Sequence, residues 1–209
     1  MLDLWEEQLG KGLAEMKLAA SPQQQRVLLD YLALLEKWNK AFNLTAVRDP
    51  LKMVSRQLLD SLSIQHLLEG DHILDVGSGA GLPGIPLSIL NPGRSFTLLD
   101  TNSKKTRFLR QAKLELQLDN VDVEQTRVEQ FQPRRLFDVI TSRAFASLPD
   151  MLQLTRHLLA PGGCWLAMKG VAPGDELESL SGKYFHEIQA LHVANESGQR
   201  HGILIRPKM

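Results

Sequence analysis

Between residues 72 and 90 a short apolar run, HILDV, passes straight into the glycine-rich bend GSGAGLPG and on into the apolar stretch IPLSIL. A strand ending at Val76, a bend with glycines at 77, 79, 81 and 84, and a helix from about Pro83 form one strand–loop–helix unit, the opening of an alternating fold. The rhythm continues through FTLLD and a helix from about Lys104, VDVEQT and a turn region, FDVITSR and a helix from about Pro149, and CWLAMK. It predicts an α/β protein with a doubly wound, mostly parallel sheet whose ligands sit at the carboxyl ends of the strands.

The flanks read differently. Ser21, Pro22 and Gln24 make a capping box with proline in the first turn, so a helix is expected from there to about Phe42. Its apolar face is Val27, Leu28, Tyr31, Leu34, Leu35, Trp38 and Phe42. Shorter helices are expected over residues 4–18 and 51–68, which makes 1–70 an N-terminal helical extension ahead of a domain at 71–209. At the other end YFHEIQALHV and HGILIRP flank the turn residues NESG and predict an antiparallel hairpin on the sheet's edge.

The chain has 209 residues, 43% of them hydrophobic, enough for a full core. Its 24 basic and 24 acidic residues cancel, so a polyanion has to be met by a local patch. The lone Cys164 excludes an internal disulfide and a cysteine metal site, and no metal is expected. The start MLDLWEEQLGKGL is acidic where a signal peptide is basic, and no apolar run approaches the ~20 residues of a membrane span. A soluble, cytoplasmic protein without membrane contact is expected, and nothing asks for more than a monomer.

The bend itself admits several ligands. A phosphate loop needs lysine and a hydroxyl residue after its last glycine, and Ile85 and Pro86 stand there instead. In the register that starts at the strand's end, a dinucleotide fingerprint has Leu82 in place of its third glycine. Two carboxylates bear on the choice. Asp100 ends FTLLD, 23 residues past Gly77, where it can take both hydroxyls of a ribose or cap the next helix. Asp75, inside the first strand, either braces the loop or faces a cation. A negatively lined pocket suits a sulfonium better than a pyrophosphate.

LDVGSGAG from Leu74 to Gly81, with Leu159-Ala-Pro-Gly-Gly163 ahead of CWLAMK, resembles the class I S-adenosylmethionine-dependent methyltransferases. KWNKAFNLTAVRD, LPGIPLSI, RVEQF, SRAFASL and MKG together resemble one group within them, the bacterial 16S ribosomal RNA guanine-N7 methyltransferases, also called glucose-inhibited division protein B. The resemblance runs from about Gln25 onward. It implies S-adenosylmethionine as methyl donor, 16S ribosomal RNA or the small ribosomal subunit as partner, and N7 of guanine 527 as target.

It also implies a residue set. Gly77 and Leu82, with Gly79 between them, match the loop that approaches the methionine and ribose parts. Asp100 matches the ribose acid, Val128 and Glu129 the pair that brackets the adenine, and Arg143 the arginine ending the fourth strand. No catalytic base is implied, because guanine N7 carries an in-plane lone pair that can attack the methyl group directly, given alignment. The chain lacks the NPPY-type tetrapeptide of amino-group methylation, and Cys164 is not at a Pro-Cys turn, which disfavours C5 methylation. Arg143 then orients the cofactor or the guanine. One position departs from the family: Gln57 stands in Arg56-Gln57-Leu58-Leu59-Asp60-Ser61 where the family has histidine.

For RNA, two basic groups are candidates: Lys104, Lys105, Arg107, Arg110 and Lys113, and Lys37, Lys40, Arg48, Lys52 and Arg56. Two rival functions remain open, a dinucleotide-dependent oxidoreductase and a non-catalytic adenosyl sensor or RNA-binding factor.

Overall fold

A computed structural model describes residues 1–180 and 182–208. Seven strands form one sheet in the order β3-β2-β1-β4-β5-β7-β6. They are β1 (His72–Val76), β2 (Ser95–Leu99), β3 (Val121–Glu124), β4 (Phe137–Arg143), β5 (Leu159–Lys169), β6 (Tyr184–Ala190) and β7 (His201–Pro207). The first five pair in parallel, and β7 runs antiparallel between β5 and β6. This is the expected Rossmann-like sheet with its antiparallel end. The strand order reverses between β1 and β4, the place where such sheets open a ligand crevice.

Because both faces are covered, the strands bury consecutive residues rather than every second one. Ile73, Phe96, Leu98, Val139 and Leu166 join a cluster with Trp5, Leu9, Leu28, Tyr31 and Leu35 of the N-terminal helices. Leu74, Leu99, Ile140, Trp165 and Ile203 face the other way, onto Leu148, Met151 and Leu177. Helices α1 (Leu2–Glu15) and α2 (Pro22–Phe42) thus share one core with α5 (Gly84–Leu90) and α6 (Ser103–Glu115), while α7 (Leu148–Thr155) and α8 (Gly174–Leu180) cover the opposite face. Of the stretch 71–209 foreseen as one domain, residues 181 and 209 lie outside the described residues.

Local chemistry accounts for much of the helical segment. The capping box is present, with Gln24 N–H donating to Ser21 Oγ at 3.2 Å and Ser21 N–H to Gln24 Oε1 at 2.9 Å. Asn43, in the left-handed region at φ 51°, ends α2. Phe42, the last residue of α2, is 38% exposed and not core, its ring resting on that of Trp38 with centroids 5.2 Å apart. Trp5 pins α1 by donating Nε1–H to the Pro50 carbonyl at 2.8 Å.

The single helix expected over 51–68 is instead broken. α3 (Pro50–Met53) leads into a π-helical stretch (Val54–Leu59), α4 (Asp60–Leu62) and a 3₁₀ turn (Gln65–Leu67). Buried polar side chains explain the breaks, since Ser55, Ser61 and Ser63 bond back to the carbonyls of Lys52, Gln57 and Asp60. Two further differences concern the tail. The β6–β7 connection is 191–200, longer than a tight NESG turn, because Leu191, Val193 and Ala194 fold back into the core. The short α8 was not foreseen, with only Leu177 and Leu180 of its seven residues buried.

Backbone bonds hold the glycine bend at two points, with Gly77 and Ser78 N–H donating to the Leu99 carbonyl and Gly81 and Leu82 N–H to that of Ser78, and side chains hold it at others. Asp75, fully buried in β1, accepts the Gly84 N–H through Oδ2 at 3.0 Å. Of the two readings for Asp75, the loop brace is what the fold shows. Gly84 is obligatory there, because a Cβ would strike Leu98 Cδ2 and come within 2.7 Å of Asp75 Oδ2. The other oxygen, Oδ1, is buried without a hydrogen-bond partner among the described residues. Burial is the largest influence on this carboxyl and raises its pKa from 3.8 to about 7, against the lowering effect of the Gly84 amide.

The folded state therefore holds a proton that the unfolded chain releases. Asp75's contribution to stability is complete below pH 4 and fades as the pH rises through about 7. Urea unfolding at pH 5 and pH 8 should show the wild-type protein losing stability relative to Asp75→Asn, which has no such titration. A gap between the two proteins that does not change with pH contradicts this assignment.

Candidate functional site

Two cavities open at the carboxyl ends of the parallel strands. The first, about 450 Å³, is lined by Val76 and Gly77 after β1, Leu99 to Thr101 after β2, and Thr126 to Glu129 after β3. Ala144 and Phe145 after β4, Lys105 of α6 and Leu154 complete it. It sits where the strand-order reversal predicts a ligand.

Five of the seven residues singled out from the sequence meet at or beside this cleft. Gly77 lies on its floor at φ 67°, and a Cβ there would come within 2.5 Å of the Phe145 ring. Asp100 is buried at the wall. Its Oδ2 accepts the Gly79 N–H at 2.9 Å and its Oδ1 the Asn102 N–H at 2.8 Å, so it ties the β1 loop to the start of α6. A carboxylate has about four lone-pair sites, so each oxygen keeps one for a ligand hydroxyl. Capping of α6 falls to Asn102, which accepts from Lys104 N–H at 2.9 Å.

Val128 and Glu129 open a 3₁₀ turn (Val128–Gln130) at the far end of the cleft. Val128 is buried, and Glu129 is exposed with no ion pair among the described residues. Gly79 contributes its amide to Asp100 rather than a surface to the cleft. Leu82 is buried beneath the loop and does not line it.

The expectation of a negatively lined pocket does not hold. Asp100 and Glu129 are balanced by Lys105 and Arg127 in the same lining, and Lys105 Nζ stands 3.8 Å from Asp100 Oδ2. α6 begins directly after the acid, which brings a basic side chain back over it.

Arg143 points elsewhere, into a second cavity of about 540 Å³ that shares Ala144 with the first. Its guanidinium donates to the Arg56 carbonyl at 3.1 Å, to Asp60 Oδ2 at 3.0 Å and to Gln57 Oε1 at 3.1 Å. The amide of Gln57 donates in turn to Thr45 Oγ1 at 2.7 Å. Gln57, the departure from the family pattern, is thus a direct partner of Arg143. Asp60 also accepts from Arg200 Nε at 2.9 Å, so one buried carboxylate holds two arginines at the cavity wall.

The segment 144–147 is fixed from outside. Lys169 donates to the Ala146 carbonyl at 3.2 Å, and Glu176 of α8 accepts the Leu148 N–H at 2.5 Å. Ala144 holds φ 58°, a strained value for a residue with a side chain, at the junction of both cavities. Asp60, Lys169, Glu176 and Arg200 were not singled out in the sequence. The one available signal was an acid amid the apolar run LLDSLSI, a buried polar group in need of partners.

The basic groups are smaller than their composition suggests. On α6, Lys105 faces Asp100 and Lys113 pairs with Asp122 at 3.1 Å, leaving Lys104, Arg107 and Arg110 exposed and unpaired among the described residues. In the second group Lys40 pairs with Glu36, Arg48 bonds Asn43, and Arg56 pairs with Glu196. Cys164 is buried, and burial, its largest influence, raises its thiol to about 11. No helix among the described residues is long and apolar enough to cross a membrane. No group of three or more metal-ligating side chains occurs among them.

Comparison with known proteins agrees with this geometry. The chain is 55% identical over 205 residues to the ribosomal RNA small subunit methyltransferase G of Stutzerimonas stutzeri, covering 96% of this chain and 94% of the relative. The protein of the same name from Pseudomonas aeruginosa is 55% identical over 202 residues, with 96% and 94% covered. Among solved structures, the O-methyltransferase TomG from Streptomyces achromogenes, in complex with S-adenosylmethionine, superposes with a TM-score of 0.60 at 15% identity, over 86% of this chain and 90% of that one. That likeness establishes the class I methyltransferase fold. The model of the rRNA small subunit methyltransferase G family matches residues 24–203, and the chain belongs to that family.

Proposed function

We propose that this chain transfers a methyl group from S-adenosylmethionine to N7 of a guanine in 16S ribosomal RNA, guanine 527 in the family's pattern. It would act as a cytoplasmic monomer on the RNA or on the assembled small subunit. The observation that carries the reading is the junction at Ala144, where a nucleoside-sized cleft backed by a carboxylate meets a second cavity walled by Arg143.

The first cleft fits the donor. Asp100 has two lone pairs left for ribose hydroxyls, and the N–H groups of Val128 and Glu129 have no acceptor among the described residues, which leaves them free for a purine ring. Gly77 lets backbone approach the ligand, and Phe145 closes the space above it. Gly79 and Leu82 act from beneath, by shaping the loop. When bound, S-adenosylmethionine supplies a sulfonium-activated methyl group.

The remaining work belongs to the second cavity, where the guanine would enter. Arg143 is held by Asp60 and Gln57 and presents a fixed donor edge that suits guanine O6 or a phosphate. Contact with N7 itself would block transfer, so the arginine aligns the base and leaves the lone pair clear. Alignment supplies the acceleration, with no proton to remove from N7. Cys164, buried with a raised thiol, offers no thiolate for C5 chemistry. The free face of Lys104, Arg107 and Arg110 begins beside the donor cleft and gives RNA phosphates an approach. Residues 1–70 would serve as an extension that walls the acceptor side through Thr45, Val47, Gln57 and Asp60.

Transfer of labelled methyl groups to small-subunit RNA from a strain lacking this gene, followed by nucleoside analysis, should yield label on guanine N7. RNA carrying 7-deazaguanosine at the target should accept none, and label on adenine or cytosine contradicts the reading. Two variants should separate the cavities. Asp100→Asn should weaken donor binding by about 10- to 100-fold, the worth of a charged hydrogen bond, with little change in KM for RNA. Arg143→Ala should lower kcat by about 100-fold at unchanged donor affinity and circular dichroism. Equal loss of donor binding in both variants would place Arg143 in the donor cleft instead.

A further inference from the structure

Among the described residues, the N-terminal helical layer touches the glycine loop through one polar contact. Tyr31, on the buried face of α2, donates its phenol hydrogen to the Ala80 carbonyl at 2.7 Å. The side chain is fully buried, and burial pushes its pKa well above the usual phenol range, so it stays a donor at every pH at which the protein is folded. Phe108 of α6 holds the ring, with centroids 6.3 Å apart.

Backbone bonds tie Gly77 and Ser78 to the Leu99 carbonyl and Gly81 and Leu82 to that of Ser78, and side chains hold the points between and beyond them. Asp100 takes the Gly79 amide, Asp75 takes the Gly84 amide, and Tyr31 takes the carbonyl of Ala80 between them. Gly77, Gly79 and Gly81 all hold positive φ, so the backbone around Ala80 has many alternatives to its present path. Ala80 is buried, and its carbonyl accepts no backbone hydrogen bond among the described residues. Without the hydroxyl that oxygen is left unsatisfied, and the loop gains by moving.

We propose that Tyr31 is a positioning residue for the donor cleft: α2 holds the glycine loop in its ligand-competent path through the Tyr31–Ala80 hydrogen bond. The inference rests on the reading of the first cleft as the donor site. A loop that is competent only part of the time binds more weakly in proportion to that fraction, so the effect appears in donor affinity and not in the chemical step.

Tyr31→Phe keeps the ring and removes the donor. Amide exchange on the ligand-free full chain and calorimetric titration with S-adenosylhomocysteine should be run on the same preparations. The amides of Gly79, Gly81 and Leu82 should exchange about tenfold faster in the variant, and its affinity should fall by about 5- to 30-fold, as expected for one buried hydrogen bond. The kcat at saturating donor should stay within about twofold of wild type. Phe108→Leu, which loosens the ring's packing but leaves the hydroxyl, should lower the melting temperature and leave affinity within about twofold. Unchanged exchange, or unchanged affinity in Tyr31→Phe, overturns the proposal. No binding by the folded wild-type chain sinks the donor-site reading, and the proposal with it.

Discussion

The carboxylate of Asp100 is the constraint on which the site's geometry turns. It stands just past the end of β2, and β2 pairs with β1 in parallel so that Val76 lies opposite Leu99. That register brings the acid level with the loop after β1, where it takes one amide from each of two connections. A buried carboxylate is costly unless it is hydrogen-bonded, and here the bonds also order the glycine loop. The same residue therefore shapes the cleft and lines it, and Lys105 keeps the local charge near balance.

The second cavity depends on a different buried acid. Asp60 sits on a helical segment interrupted by a π stretch, which re-aims Arg56, Gln57 and Asp60 toward the end of β4. Two arginines from distant parts of the chain meet on its oxygens. Taking these charges from water is expensive, and a well-packed apolar cluster of similar volume would serve stability as well or better. The arrangement is better understood as holding Arg143 in one orientation at the strand's end. Gln57 adds a neutral contact, so this part of the anchoring does not depend on the protonation of a titratable ring.

What was legible in the sequence was local. The strand HILDV was read to its exact ends, and the capping box fixed the start of α2. The signals for both, a short apolar run before glycine and Ser-Pro-x-Gln, act within a few residues. Asp100 was likewise visible from its place at a strand end, though not the two amides and the lysine that share it. The insertion of β7 between β5 and β6, the π stretch and α8 were hidden because each is decided by tertiary partners. The charge patches misled for the same reason, since Lys105, Lys113, Lys40 and Arg56 find acids that only the fold brings near. Arg143 was foreseen at a strand's end, but which cavity it faces depends on Asp60 and Gln57, more than eighty residues earlier in the chain.

On this reading one cleft, between the ends of β1, β2 and β3, receives the methyl donor with its sugar on Asp100. A crystal structure of the full chain with S-adenosylhomocysteine tests it most directly. Ribose hydroxyls are expected within hydrogen-bond distance of both Asp100 oxygens, the adenine against Val128, and the sulfur directed toward Ala144. A ligand seated in the second cavity beside Arg143, or in the first with its sugar away from Asp100, contradicts it.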